Sequence, residues 1–316
     1  MSEPCLIGID WGTSSLRAYL LGPDASLLDS RTQPWGIQHT PDRDFARAYR
    51  LLLEDWLAQW PGLPAIGSGM IGSRQGWREV PYMDCPADAH ALAAGLVSLD
   101  TGAGALHLIP GVRQGGERPN VLRGEETQVV GALALEPGLI EEALLLLPGT
   151  HSKWVQVRDG KLQGFTTFMT GELFAVLRDH SILGRPALEA GVIGDAQVYR
   201  RGVQAARDSG SRGIADQLFS VRSLVLSGEL PATNSLDYLS GLLIGEELRS
   251  ALSGPAVSSV PTPVLLGDPA LCTRYRQAFS LFGIESVRSL DNPGVAGLWR
   301  IAQAAGLVTA KEVQHD

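Results

Sequence analysis

Apolar and polar positions fall into short blocks at the start of the chain. "CLIGID" (Cys5–Asp10) is an apolar run ending on an acid, and "LRAYLL" (Leu16–Leu21) and "LLDSRTQ" (Leu27–Gln33) follow across the small polar stretches "WGTSS" and "GPDAS". Short runs separated by Gly, Ser, Asp and Pro predict a meander of strands. A longer period begins at residues 42–60, where Phe45, Tyr49, Leu52, Leu53, Trp56, Leu57 and Trp60 recur at the spacing of one helical face. "LPAIGSGMIG" (Leu63–Gly72) reads as a strand running into a glycine-rich loop, and Glu125–Leu135 as a helix stopped by Pro137-Gly138.

The opening pattern returns in "ALLLLPGTHSKWVQVRDGKLQGFTTFM", which is apolar run, Gly-Thr turn, run, Asp-Gly turn, run. Gly12-Thr13 and Gly149-Thr150 lie 137 residues apart, and the same offset carries "LRAYLL" onto "KWVQVR" and "SLLDSRT" onto "QGFTTFM". The side chains are not shared, so the repeat is one of architecture, and it predicts two similar domains with a ligand cleft between them. The last third reads as mostly helical. "SLDYLSGLLIGEELRSAL" (Ser235–Leu252) opens on a Ser read as a cap, and "VLLGDPALCTRYRQAFSLFG" is a strand, Gly267, an Asp268 cap, Pro269 at the first helical position and Gly283 as a stop. "DNPGVAGLWRIAQAAG" repeats that grammar with Asn292, Pro293 and Gly306, and "RDSGSRG" (Arg207–Gly213) reads as an exposed loop. The expected segments are 1–136, 137–292 and a connecting helix at 293–316.

Size and charge narrow the function classes. A chain of 316 residues suits about two cores. Its net charge of −8 and the lack of any basic run argue against nucleic acid and against a membrane surface. No apolar run has the length of a membrane span, and the N-terminus lacks a basic region followed by an apolar one. Cys5, Cys85 and Cys272 are far apart, odd in number and not at zinc-site spacing with a His, which fits a reducing cytoplasm. The expected location is cytoplasmic.

An isolated Gly-Thr turn is equally a hairpin or a phosphate loop. Two such turns at matching points of a repeated meander favour the second. Backbone N–H groups at Gly12 and Gly149, with the hydroxyls of Thr13, Ser14 and Thr150, could grip a polyphosphate, and Asp10 is placed to hold Mg²⁺ directly or through water. Lys153 is either a point charge on the phosphates or a solvated strand residue.

At these residues a resemblance emerges. "IGIDWGTSSLRAYL" and "LLPGTHSKW" resemble the two phosphate loops of the sugar-kinase, hexokinase and actin superfamily, "VLLGDPAL" its adenosine-side strand–glycine–helix, and "DNPGVAGLWRIAQAAG" its final connecting helix. More specifically, "MIGSRQGW", "IPGVRQ", "LRGEETQ", "PGTHSKW" and "FMTGELFAVLRDHSILG" together are similar to the 2-dehydro-3-deoxygalactonokinase family, in order along nearly the whole chain. The resemblance implies an α/β fold of two facing actin/hexokinase-type (ribonuclease H-like) domains with a central cleft. ATP and Mg²⁺ would lie between the Gly-Thr loops, with adenine near Gly267 on the C-terminal, nucleotide-side domain. It implies phosphorylation of the 6-hydroxyl of 2-dehydro-3-deoxy-D-galactonate; the alternatives are another 2-keto-3-deoxy sugar acid, or a non-sugar ATPase of the superfamily. A homodimer is left open.

The superfamily's sugar kinases use an Asp, often followed by Thr, at a helix start before the second phosphate loop, as the residue that takes the acceptor's proton. The corresponding slot here, "RGEETQVVGAL", has no Asp. Glu126-Thr127 matches best and Glu125 comes next; both could instead merely complement a helix N-terminus. On the acceptor side, the N-terminal domain offers Gly72 and Arg74, with Trp77 and Tyr82 to pack on the carbon chain and Arg113 and Arg123 as rival carboxylate partners. His151 reads as a loop-orienting hydrogen bond rather than a base. "GSGMIG" (Gly67–Gly72) matches the dinucleotide fingerprint G-x-G-x-x-G, but the sequence after it has no helical period, so the dehydrogenase reading is rejected. No G-x-x-x-x-G-K-[ST] loop occurs in the sequence.

Overall fold

The computed structural model describes residues 3–210, 212–253 and 261–309. The first meander is β1 (Leu6–Trp11), β2 (Leu16–Leu21) and β3 (Leu27–Gln33). Then come β4 (Ala65–Ser68), β5 (Met83–Asp84), β6 (Val97–Asp100), β7 (Ala105–Leu108), β8 (Val112–Gln114) and β9 (Asn120–Leu122). They form a six-stranded sheet in the order β3-β2-β1-β4-β7-β6 and a small sheet in the order β5-β8-β9. The second meander is β10 (Glu142–Leu147), β11 (Ser152–Arg158) and β12 (Lys161–Phe168), joined by β13 (Val264–Leu266) and β14 (Arg288–Leu290) in the order β12-β11-β10-β13-β14. In both large sheets the first strand of the meander pairs in parallel with a strand from further along the chain, β1 with β4 and β10 with β13.

Three helices accompany the first sheet in sequence, α1 (Phe45–Gln59), α2 (Ala89–Ala94) and α3 (Glu125–Leu135). After β12 come α4 (Thr170–His180), α5 (Arg185–Ala190), α6 (Ala196–Arg207), α7 (Ile214–Gln217), α8 (Phe219–Leu226), α9 (Ser235–Ala251), α10 (Pro269–Leu281) and α11 (Pro293–Ala304). The chain divides into two compact units: Met1–Glu142 with Val155–Phe165 and Asp291–Asp316, and Ala143–Trp154 with Thr166–Leu290. The segment expected at 293–316 thus groups with the first unit through α11, which packs on α3, while residues 310–316 lie outside the described residues. No helix among the described residues is long and apolar enough to cross a membrane.

Burial explains the elements. Every residue of β1 except Asp10 is buried, as a central strand covered on both faces requires. Ile7, Ile9 and Trp11 join Leu16, Ala18 and Leu20 of β2 in a core closed by Tyr49, Leu52, Leu53 and Trp56 of α1. Leu57 and Trp60, expected on the same face, are only partly buried at its margin. The helix starts at Phe45 rather than Asp42, because residues 41–43 form a separate 3₁₀ turn and the Asp44 side chain caps Arg47 N–H.

Other terminal signals divide. Asp268 accepts from Leu271 N–H with Pro269 at the first helical position, as expected. Ser235 is not a cap; it lies inside α9, and its hydroxyl donates to Ala232 C=O. Asn292 is not a side-chain cap either: its backbone is left-handed (φ 49°), which aims the chain into α11 without a side-chain bond. In the predicted loop 207–213, Arg207 still belongs to α6 and reaches Leu281 C=O, and Ser209 is buried; Ser211 lies outside the described residues.

Candidate active site

Asp10 is the last acid before the first turn. It pairs across the sheet with Arg17 on β2 and Ser68 on β4. Arg17 Nη1 donates to its Oδ2 at 3.2 Å. Withdrawal from solvent pushes the carboxyl pKa up, and Arg17 pulls it back. The turn itself closes through Gly12 N–H to Ser15 C=O at 2.9 Å and leaves Thr13 and Ser14 exposed. Behind it, Ile37 N–H donates to Gly12 C=O at 3.0 Å.

The end of β4 brings the next residues to Asp10. A Cβ on Gly69 would sit 3.6 Å from Asp10 Oδ1, and one on Gly124 would sit 3.3 Å from Gly69 Cα. Gly124 begins α3, so both glutamates of its first turn start beside the end of β1. Their environments differ. Glu126 is 1% exposed. Its Oε2 accepts Gly124 N–H at 2.7 Å, while the hydroxyls of Ser68 and Thr127 reach Oε1 at 3.4 and 3.3 Å. Burial, and then the charge of Glu125, push its pKa up to about 7. Glu125 is only partly buried and accepts Arg123 N–H at 2.9 Å. Both carboxylates therefore do satisfy N-terminal backbone donors, whatever else they do.

The acceptor-side residues separate. Arg74 is exposed and makes no hydrogen bond or ion pair among the described residues. Arg113 is held by Asp84 through Nε (2.6 Å) and Nη2 (3.2 Å) at the surface. The Trp77 ring packs on Trp11 and Tyr49, anchoring its loop to the core. Arg123, 9% exposed, donates from Nη2 to Val80 C=O at 2.8 Å and lies 4.2 Å over the Tyr82 ring, with Gly72 against Nη1. As the sequence suggested, "GSGMIG" does not open an α-helix; it ends in a 3₁₀ turn at Met70–Gly72, and the next α-helix is α2 at Ala89–Ala94.

In the second unit the Gly149-Thr150 turn rests on the start of α4, where Glu172 N–H donates to Thr150 C=O at 2.9 Å. His151 Nε2 bonds the Glu172 carboxylate, a contact that orients the loop. Lys153 is buried, not solvated, and Nζ donates to Thr167 Oγ1 at 2.9 Å. A cavity of about 670 Å³ opens beside this turn, within the size range of small-molecule sites. Gly149, Thr170 and Gly171 line it together with Phe174 and Leu243, and Asp237 and Arg274 supply charge. Gly267 is not among its walls but leads into α10, whose Leu271 and Tyr275 are.

Sequence reasoning missed Glu247. It is buried and accepts from Trp154 Nε1 at 2.8 Å, Tyr275 OH at 2.6 Å and the Thr170 hydroxyl; burial pushes its pKa up and these bonds pull it down. The signal was available, since Glu247 stands at an apolar-face position between Ile244 and Leu248.

The 2-keto-3-deoxy-galactonokinase family model matches residues 10–301. The chain belongs to the 2-keto-3-deoxy-galactonokinase family. It is 36% identical to "Probable 2-dehydro-3-deoxygalactonokinase" of Rhizobium meliloti (strain 1021) over 294 residues, 90% of this chain and 91% of that one. It is 35% identical to the 2-dehydro-3-deoxygalactonokinase of Escherichia coli (strain K12) over 302 residues, 94% of this chain and 97% of that one. A crystal structure of a Sinorhizobium meliloti protein bearing the same kinase name superposes with a TM-score of 0.86 at 35% identity, over 95% of this chain and 98% of that one. As a galactonokinase-family member the chain is a carbohydrate kinase, and its mixed α/β fold is of the actin and hexokinase kind.

Proposed function

We propose that this 2-keto-3-deoxy-galactonokinase-family chain transfers the γ-phosphoryl group of ATP to the 6-hydroxyl of 2-dehydro-3-deoxy-D-galactonate, giving the 6-phosphate and ADP in the cytoplasm. The observation that carries this reading is the convergence of Asp10, Gly69 and the glutamate-bearing start of α3 in a chain of this family.

The second-unit cavity suits the nucleoside, its apolar walls taking the base. The Gly149-Thr150 turn beside it offers backbone N–H groups and a hydroxyl to phosphates. Gly12, Thr13 and Ser14 form a second phosphate cradle. Asp10 fits Mg²⁺: it is one part-exposed carboxylate, and Mg²⁺ takes one or two carboxylates plus substrate phosphates. Among the described residues no three His, Cys, Asp or Glu gather into a cage, so the ion would arrive with the nucleotide. When bound, it would neutralise charge developing on the phosphoryl oxygens.

Phosphoryl transfer is mostly positioning, and the base need only lie within hydrogen-bond reach of the attacking hydroxyl. In our reading Glu125 takes that proton as the O–P bond forms and the bond to ADP breaks. Glu126, the better sequence match, is closed off from any ligand in this conformation and serves to hold the start of α3. The test is ADP release with and without a panel of 2-keto-3-deoxy sugar acids, repeated across Mg²⁺ concentrations for wild type and Asp10→Asn. Release should follow the galactonate-derived acid, and Asp10→Asn should need about 10- to 100-fold more Mg²⁺. ADP release that ignores every acid would turn the reading towards an ATPase.

A further inference from the structure

Two buried polar groups in the acceptor-side segment have no partner. Arg123 Nε and Nη1 make no hydrogen bond, and neither does Ser73 Oγ. Both residues are nine-tenths buried. The rest of the guanidinium is firmly placed, by Val80 C=O on Nη2, the Tyr82 ring under its face and Gly72 against Nη1. A buried cation with unmet N–H groups is unfavourable until an acceptor reaches it. The two rivals are disposed otherwise: Arg113 is already engaged by Asp84, and Arg74 lies in solvent, where a carboxylate pair contributes little.

We infer that Arg123 is the receptor for the acceptor's carboxylate, and that it selects sugar acids over neutral sugars. The inference rests on the kinase reading above and deepens it. The unmet N–H groups face no solvent, so the segment from Gly69 to Tyr82 rearranges around the acid as it enters. Arg123 stands two residues before Glu125. One short stretch of chain, 123–125, then handles both ends of the acceptor: the guanidinium takes the acid and the glutamate takes the hydroxyl proton. A planar, permanently charged fork is the side chain suited to a carboxylate.

The experiment is steady-state kinetics on wild type, Arg123→Gln, Arg123→Lys and Arg74→Ala, varying acid and ATP separately, with thermal melting of each variant. Arg123→Gln should raise the KM for the acid about 10- to 100-fold, with the KM for ATP within about twofold, as loss of a charged hydrogen bond predicts. Arg123→Lys should recover only part of that loss. In wild type, amide exchange over 69–82 should slow on adding the acid alone, a readout that stands even if the variants fail to fold. The inference is overturned if Arg74→Ala raises the acid KM and Arg123→Gln does not. It is also overturned if Arg123→Gln lowers kcat and raises both KM values alike while Arg123→Lys restores everything, since that marks mere support of the loop, or if exchange over 69–82 is unmoved by the acid. A wild-type enzyme with no acid-dependent ADP release fails at an earlier step and removes the kinase reading itself.

Discussion

The turns at Gly12–Ser14 and Gly149–His151 join corresponding strands, yet different structures hold them. The first is backed by irregular chain: Ile37 N–H reaches Gly12 C=O, and Gly36 packs on Thr13. The second is backed by the start of α4, with Glu172 N–H on Thr150 C=O and Gly171 on Gly149. Charge differs as well. Asp10 precedes the first turn, whereas the residue at the same offset before the second is Leu147, buried in β10. After the second turn stands Lys153, where the first has Leu16. A duplicated scaffold thus keeps its backbone grammar while the chemistry differs: Asp10 with Arg17 and the first-turn glutamates of α3 stand at the first turn, and Lys153, the His151–Glu172 pair and the cavity at the second. That asymmetry fits a division between acceptor chemistry and nucleotide binding.

The comparison breaks most sharply at the acids. Glu125→Gln should lower kcat by about 10²- to 10⁴-fold, the usual loss on removing a positioned base. The KM for ATP should barely change, because Glu125 is not among the residues that line the cavity proposed for the nucleoside. Glu126→Gln should cost far less. If the two results are exchanged, Glu126 is the base and its burial is relieved during turnover.

The sequence carried one half of this picture better than the other. Both meanders were legible because β1 and β10 are compact apolar blocks that run into Gly-Thr turns, and the shared offset exposed both turns at once. The β5-β8-β9 sheet was not, since strands of two or three residues have no period to detect. Nor was α4, which begins without a side-chain cap and leaves Leu173 and Val176 exposed, blurring its amphipathic face. At the site, Asp10 stood out from the repeated turn, and the two glutamates only through the resemblance to the sugar-kinase slot before the second phosphate loop. The opposite environments of Glu125 and Glu126 were not, because Ser68, 58 residues away, helps to close over Glu126. Arg123 looked like any of three arginines until Val80 and Tyr82 were seen to enclose it.

Each unit also buries a glutamate, Glu126 in the first and Glu247 in the second. Glu126 has a single short bond, from Gly124 N–H, and its pKa is pushed up to about 7 from 4.5. The folded state therefore holds a proton that the unfolded state has lost between those pH values, so stability falls as pH rises through that window and is flat above it. The penalty corresponds to ~3 kcal/mol. Urea midpoints at pH 5 and pH 8 should show wild type losing about that much more than Glu126→Gln, which cannot titrate. Equal pH slopes in the two proteins would mean that Glu126 is not the group held protonated.

The mildest test compares the two supports directly. A Cβ on Gly36 would lie 2.1 Å from Thr13 O, and one on Gly171 would lie 2.4 Å from Gly149 O. Neither clash can be relieved by a rotamer change, because backbone meets backbone. Alanine at either position should force the turn away from its support, at about 1–3 kcal/mol of stability, the usual cost of overpacking. The functional signatures should differ. Gly171→Ala moves a wall of the cavity proposed for the nucleoside and should raise the KM for ATP. Gly36→Ala moves Thr13 and Ser14 beside Asp10 and should show chiefly as a greater Mg²⁺ requirement. If both variants altered the KM for ATP alone, the first turn would be no more than a second grip on the nucleotide, and the asymmetry of charge between the turns would have no counterpart in the chemistry.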